Sequence, residues 1–171
     1  MASVRRRSYT LVVLWLITSL SSITFAQPKP SVSQEAVLST HASGAFEGKL
    51  APKPMEEQSA GTTLARMSID KQFHGELEAA SKGEMLSAGT TEKSSAGYVA
   101  MELVMGTLSG RKGSFILQHT ATMNRGMPQL SITVVPDSAT DQLMGLTGKM
   151  SINIVDGKHF YDFEYTLPPR P

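Results

Sequence analysis

Two ionisable side chains lie inside apolar stretches of this sequence, where they could carry proton chemistry. Glu102 lies within residues 98–105, and strand alternation places it on one face with Tyr98, Ala100 and Val104. If this face lines an interior, its apolar surroundings raise the pKa of Glu102 and suit it to donating or accepting a proton. The other interpretation places Glu102 on the outer face, in water or in an ion pair, because Glu is seldom buried.

His119 is the second candidate. Strand alternation groups it with four apolar residues, Phe115, Leu117, Ala121 and Met123. We therefore expect its imidazole to point into a core or lumen, where it could act as a general base or orient a ligand. The alternative is a core histidine that hydrogen-bonds a backbone carbonyl or a carboxylate. Glu102 and His119 are the two candidate catalytic residues.

Further side chains could line the same interior. The last apolar stretch places His159, Tyr161, Phe163 and Tyr165 on one face, and an aromatic stripe at period two is typical of a core or a lumen wall. Glu84 follows Gly83 and could join Glu102 inside. The predicted ligand-contacting residues are Glu84, Tyr98, Glu102, Phe115, Leu117, His119, His159, Tyr161 and Phe163.

Several classes of site find no support in the sequence. It contains no cysteine, which excludes thiolate nucleophiles, Cys-ligated zinc and iron–sulfur clusters. The four histidines are scattered without metal-ligand spacing, and the methionines are better read as core filler than as copper ligands. No glycine cluster matches a phosphate loop, and no serine lies in a nucleophile elbow. We predict no metal and no cofactor, and we leave open whether any reaction is catalysed.

These side chains are positioned by short strands separated by Gly, Pro and Asp. No segment shows the 3.6-residue apolar period of a long helix. The predicted strands are residues 44–50, 64–74, 77–87, 97–105, 115–123, 130–135, 150–155 and 159–165. Consecutive short strands favour a meander, and about eight of them can close around side chains or one small ligand. We predict one all-β domain, a closed or nearly closed antiparallel barrel. Arg111 lies in a turn and is predicted to hydrogen-bond backbone carbonyls.

The N-terminal residues have the pattern of a secretory signal. Three arginines precede an apolar stretch and a small-residue cleavage site, which predicts a signal peptide over residues 1–26. An uncleaved anchor is the alternative. A polar tether over 27–41 and a barrel domain over 42–168 follow. The whole chain has formal charge +1, and removing the three arginines leaves −2, which does not favour nucleic-acid binding. We expect an exported protein, periplasmic or secreted, with no membrane span after cleavage and with oligomers possible.

Combined motifs carry a family resemblance over about residues 42–168. They are RMSIDK at 66–71, GEMLS at 83–87, SAGYVA at 95–100, GTLSGR at 106–111, GSFILQH at 113–119, VVPDS at 134–138 and GKHFYDFEY at 157–165. Together they resemble the bacterial DUF3224 family, which is of unknown function. The resemblance implies a closed antiparallel barrel similar to the allene oxide cyclase type. It does not imply cyclase activity, since a fold does not carry a function, and it supplies no catalytic residues.

The sequence therefore favours a protein that binds a small, mostly apolar molecule in its barrel. Burial of apolar surface would provide affinity, and polar groups such as Glu102, His119 and Tyr161 would fix the orientation of the ligand. One alternative is an isomerase or cyclase that uses Glu102 and His119 for proton transfer. The other is a structural or interaction module with a solid barrel.

Overall fold

The chain folds as a closed antiparallel barrel of eight strands. The computed structural model describes residues 39–54 and 61–169. The strands are β1 (Thr40–Lys53), β2 (Thr62–Gly75), β3 (Leu77–Thr90), β4 (Ala96–Leu108), β5 (Arg111–Asn124), β6 (Met127–Val134), β7 (Thr147–Val155) and β8 (Lys158–Thr166). Each strand pairs with the next along the chain, and β8 pairs with β1. The predicted all-β meander barrel is confirmed.

The strands are longer than the sequence pattern predicted. β1 begins at Thr40, so the last two residues of the predicted tether belong to a strand. The predicted signal peptide, the rest of the tether before residue 39 and residues 55–60 of the predicted loop lie outside the described residues. Neither described stretch contains a helix long and apolar enough to span a membrane.

One end of the barrel is packed solid with aromatic and aliphatic side chains. The rings of Phe115 and Phe163 stack with centroids 5.8 Å apart, and Phe163 stacks on Tyr165 at 5.3 Å. Leu108 and Val104 are fully buried at this end. These side chains close this end of the barrel, and a cavity lies towards the other end.

The connection between β6 and β7 is the least paired part of the barrel. Only two residue pairs join these strands, whereas nine join β7 to β8. A 3₁₀ helix (Asp141–Leu143) lies in the connection. Arg111 donates through Nε to the carbonyl of Gln142 at 2.8 Å and through Nη1 to the carbonyl of Pro168 at 2.9 Å. The predicted role of Arg111 as a donor to backbone carbonyls is confirmed, and it ties this connection to the end of the chain.

Candidate functional site

The centre of the site is the carboxylate of Glu102, which is completely buried inside the barrel. Lys71 Nζ donates to its Oε2 at 2.8 Å, and the hydroxyl of Ser81 donates to its Oε1. His119 Nε2 lies 2.9 Å from the same Oε2. Glu102 and His119 therefore both face inwards and contact each other. This confirms the interpretation that places Glu102 on an inner face. We call Lys71, Ser81, Glu102 and His119 the polar cluster.

Strand register brings these four residues together from four neighbouring strands. Lys71 on β2 lies directly opposite Ser81 on β3. Glu102 on β4 lies opposite Gly83, two residues beyond Ser81 on the same face of β3. Gly83 is needed there, because a Cβ would overlap the carbonyl oxygen of Met101 and lie 2.8 Å from Cα of Glu102. The close approach of β3 and β4 thus depends on a residue without a side chain.

His119 completes the cluster from β5. Its residue lies opposite Ala100, one inward position from Glu102, and only 3% of it is exposed. Its Nε2 lies within ion-pair distance of Glu102, but the two groups are not aligned for a hydrogen bond. This buried nitrogen therefore has no hydrogen-bond partner among the described residues.

The ionisation of Glu102 differs from the sequence prediction. Burial acts to raise the pKa of Glu102, but the contacts with His119, Lys71 and Ser81 outweigh it and lower that pKa from 4.5 to about 2. The predicted rise of the pKa is therefore wrong. The reason is that the interior is not purely apolar at this point, because a cation and two further polar groups meet the carboxylate.

The sequence analysis missed Ser81, and it missed Lys71, which supplies the cation of the polar cluster. Its side chain is only 12% exposed, and its ammonium lies 5.1 Å from the ring centroid of Phe46 and 5.7 Å from that of Phe73. The signal was present, because alternation places Lys71 between the inward residues Ile69 and Phe73. A lysine on an apolar face is a candidate partner for a carboxylate on a neighbouring strand.

A cavity of about 450 Å³ adjoins the polar cluster on the open side of the barrel. Its lining is largely apolar and includes Lys71 and His119 of the cluster. The full lining is Phe46, Gly48, Lys49, Leu50, Ile69, Lys71, Met85, Tyr98, His119, Ile152 and His159. Tyr98, His119 and His159 of the predicted ligand-contacting set thus lie at the cavity. Glu102 lies behind the wall, in contact with Lys71 and His119.

The other inward-facing candidates lie away from the cavity. Phe115, Leu117 and Phe163 belong to the buried apolar core and do not line the cavity. The hydroxyl of Tyr161 accepts a hydrogen bond from the backbone N–H of Leu77 at 2.8 Å and donates to the carbonyl of Ser43 at 3.1 Å. These four residues are therefore placed where they hold the barrel together.

Comparison with known proteins places this architecture in a family. The family model described as "Protein of unknown function (DUF3224)" matches residues 42–165. This chain belongs to the DUF3224 family. A solved structure of a DUF3224 protein with unknown function from Shewanella oneidensis MR-1 is 48% identical, with a TM-score of 0.75, and the match covers 78% of this chain and 100% of that one. The comparison with curated proteins found no match.

One predicted ligand-contacting residue of this DUF3224 barrel, Glu84, points outwards. The expectation that Glu84 joins Glu102 inside is wrong, because Gly83 occupies the inward position and Glu84 therefore projects outwards. Glu84 is exposed and pairs with Arg66, whose Nε lies 2.5 Å from its Oε2. This ion pair lowers the pKa of Glu84, and its hydrogen bond is the main cause.

The arrangement in this DUF3224 barrel is better suited to holding a polar group than to exchanging protons through Glu102. A carboxylate with a pKa near 2 stays ionised at neutral pH and is a poor proton carrier there. Within residues 39–54 and 61–169, no group of three or more His, Asp or Glu side chains is placed to hold a metal ion. The cluster instead presents Lys71 and His119 to the cavity at fixed positions, held by the Glu102 carboxylate.

Proposed function

We propose that this barrel binds a small, mostly apolar molecule noncovalently in its cavity. The observation that carries this proposal is the juxtaposition of a cavity of about 450 Å³ with a buried polar cluster. Binding sites for small molecules are concave, mostly apolar and fitted with a few polar groups. Apolar walls provide affinity at about 25 cal/mol per Å² of buried surface, and the polar groups select the orientation.

The ionisation of the cluster favours binding over proton transfer. Glu102 is held in its charged form by three contacts, so of the two predicted proton carriers only His119 remains. The sequence also contains no motif for covalent catalysis. We infer further, from the signal pattern at residues 1–26, that the protein is exported, and N-terminal analysis of the protein recovered from outside the cytoplasm tests this.

The binding proposal is tested with N-phenyl-1-naphthylamine, an uncharged probe whose fluorescence rises in apolar surroundings. We expect saturable binding at one site per chain. Met85 lines the cavity, whereas Met105 lies on the outer face of β4 and is 44% exposed. Met85→Trp narrows the cavity and should weaken binding at least tenfold. Met105→Trp adds the same side chain outside and should leave binding unchanged.

Two results would overturn the proposal. One is the absence of saturable binding by folded wild-type protein, and the other is equal binding by both tryptophan variants. Far-ultraviolet circular dichroism and thermal unfolding establish that each variant is folded. Native mass spectrometry of the protein purified from its own host adds a direct measurement, because a retained small molecule identifies the ligand class by its mass.

A further inference from the structure

The ammonium group of Lys71 has unused hydrogen-bonding capacity beside the cavity. Of its three N–H donors, one is taken by Glu102 Oε2, and no other acceptor for it occurs in the described parts of the chain. The rings of Phe46 and Phe73 flank the charge but accept no conventional hydrogen bond. Two donors of a nearly buried ammonium are therefore available to whatever occupies the cavity.

Tyr98 provides a second donor at the same cavity. Burial raises the pKa of Tyr98, and the negative charge of Glu102 raises it further, so the phenol keeps its proton. Tyr98 lies on the inward face of β4, two positions from Ala100 and four from Glu102. Its hydroxyl forms no hydrogen bond to the described residues.

The cavity wall offers no carboxylate to match these donors. Its ionisable and polar side chains are Lys49, Lys71, Tyr98, His119 and His159, with no Asp or Glu among the lining residues that the structure describes. Glu102 lies behind the wall and already meets Lys71, Ser81 and His119. An acceptor for the remaining donors must therefore arrive with the occupant, because leaving them unpaired in a filled cavity costs free energy.

We propose that the molecule bound in this cavity carries a carbonyl or carboxylate oxygen that accepts hydrogen bonds from Lys71 and Tyr98. This inference depends on the proposed function, since it specifies the polar end of the apolar ligand. It predicts discrimination by hydrogen bonding. A site built around buried donors rejects an analogue that lacks the acceptor more strongly than an apolar pocket rejects a change of one methylene.

The test compares three probes with nearly the same carbon skeleton. They are 2-ethylnaphthalene, which has no acceptor, 2-acetylnaphthalene, which has a neutral carbonyl, and 2-naphthoate, which has a carboxylate. Each competes with N-phenyl-1-naphthylamine for wild-type protein and for Tyr98→Phe. The matched control is Tyr165→Phe, because the hydroxyl of Tyr165 already hydrogen-bonds Ser109 at 3.0 Å in the closed end of the barrel.

We expect the ketone or the carboxylate to bind wild-type protein at least tenfold more tightly than the hydrocarbon. Whichever of the two binds more tightly shows whether the acceptor is a carbonyl or a carboxylate oxygen. Tyr98→Phe should reduce that preference severalfold without changing the affinity for 2-ethylnaphthalene, and Tyr165→Phe should preserve it. Equal affinities for all three probes would overturn this inference while leaving apolar binding intact. A preference that survives in Tyr98→Phe would also overturn the assignment to Tyr98. Failure of N-phenyl-1-naphthylamine itself to bind would instead contradict the proposed function.

Discussion

Lys71 and Glu102 lie 31 residues apart in the sequence and form an ion pair inside the barrel, with Nζ 2.8 Å from Oε2. The Glu102 side chain is fully buried and that of Lys71 is nearly so. Removing two charges from water costs several kcal/mol per ion, and their attraction offsets this cost only when further hydrogen bonds complete the arrangement. Ser81 and His119 supply these further contacts. Removing either partner therefore leaves the other as an uncompensated charge in the interior, which destabilises the fold.

The first prediction concerns loss of the carboxylate. Glu102→Gln leaves the Lys71 ammonium nearly buried without its counter-charge, so we expect the free energy of unfolding to fall by about 3–5 kcal/mol. Urea denaturation followed by circular dichroism measures the change. The matched control is Glu84→Gln, which removes an exposed carboxylate from the neighbouring strand β3 and should change stability far less. Equal effects of the two substitutions would contradict the stabilising role of the buried pair.

The second prediction is that removing both charges lowers the free energy of unfolding by less than the sum of the two single substitutions. Lys71→Met leaves the Glu102 carboxylate buried without its cation, and Glu102→Gln leaves the Lys71 ammonium nearly buried without its carboxylate. The double variant Lys71→Met/Glu102→Gln has no unpaired charge, so it should be more stable than the sum of the single effects predicts. We expect a coupling of about 1–3 kcal/mol in a double-mutant cycle of unfolding free energies. Strict additivity would show that the two residues act independently.

The third prediction concerns acid. The folded-state pKa of Glu102 is about 2, below its ordinary value of 4.5. The contribution of ionised Glu102 to the free energy of unfolding is therefore complete above about pH 4.5 and is lost as the pH falls towards 2. Linkage makes this contribution about 3 kcal/mol. The stability difference between wild type and Glu102→Gln should shrink across this range, as measured by urea titrations at successive pH values.

A control separates this effect from acid denaturation in general. The exposed carboxylates Glu84 and Glu164 also have lowered pKa values, through hydrogen bonds with Arg66 and Lys149 respectively. They occur in both wild type and Glu102→Gln, so their effects cancel in the difference. A difference that stays constant from pH 5 to about pH 2 would show that Glu102 does not have the low pKa given by its contacts.

The fold and half of the polar cluster could be predicted from the sequence. Alternation correctly placed Glu102 and His119 on inward faces, because strands with a period of two leave little freedom once one face is apolar. It also placed His159 and Tyr98 inwards, and both line the cavity. The length of the strands was underestimated, because polar residues at barrel ends continue the pairing without an apolar pattern.

Sequence alone could not predict the electrostatics of the cluster. The pKa of Glu102 depends on which residue of β2 reaches it across β3, and this is set by the register of two hairpins. Lys71 had the right alternation but is of a type rarely buried unless paired. Glu84 was misplaced because Gly83 holds the inward position beside β4. The closed packing around Phe115 and Phe163 likewise depends on contacts between distant strands.

The fourth prediction concerns the hydroxyl of Tyr161, which joins β8 to the turn between β2 and β3. It accepts from the Leu77 N–H at 2.8 Å and donates to the Ser43 carbonyl at 3.1 Å. Tyr161→Phe leaves the buried Leu77 N–H unpaired, so stability should fall by about 1–3 kcal/mol. Thermal and urea unfolding measure the loss. Binding of N-phenyl-1-naphthylamine should be retained, because Tyr161 lies away from the cavity lining, and a selective loss of binding would contradict this placement.

The last prediction concerns Gly83, which allows β3 to approach β4 at Glu102. A methyl group there would overlap the Met101 carbonyl oxygen, so Gly83→Ala must push the two strands apart. We expect a loss of about 1–3 kcal/mol in unfolding free energy, as for other overpacked sites. Gly89 on the same strand is the control, because a Cβ there lies 4.0 Å from the nearest heavy atom outside its chain neighbours, the Thr63 carbonyl oxygen. Gly89→Ala should be neutral or slightly stabilising, since alanine loses less backbone entropy on folding. If both alanine variants were equally stable, the strands would not be held at this distance by the absence of a side chain at Gly83.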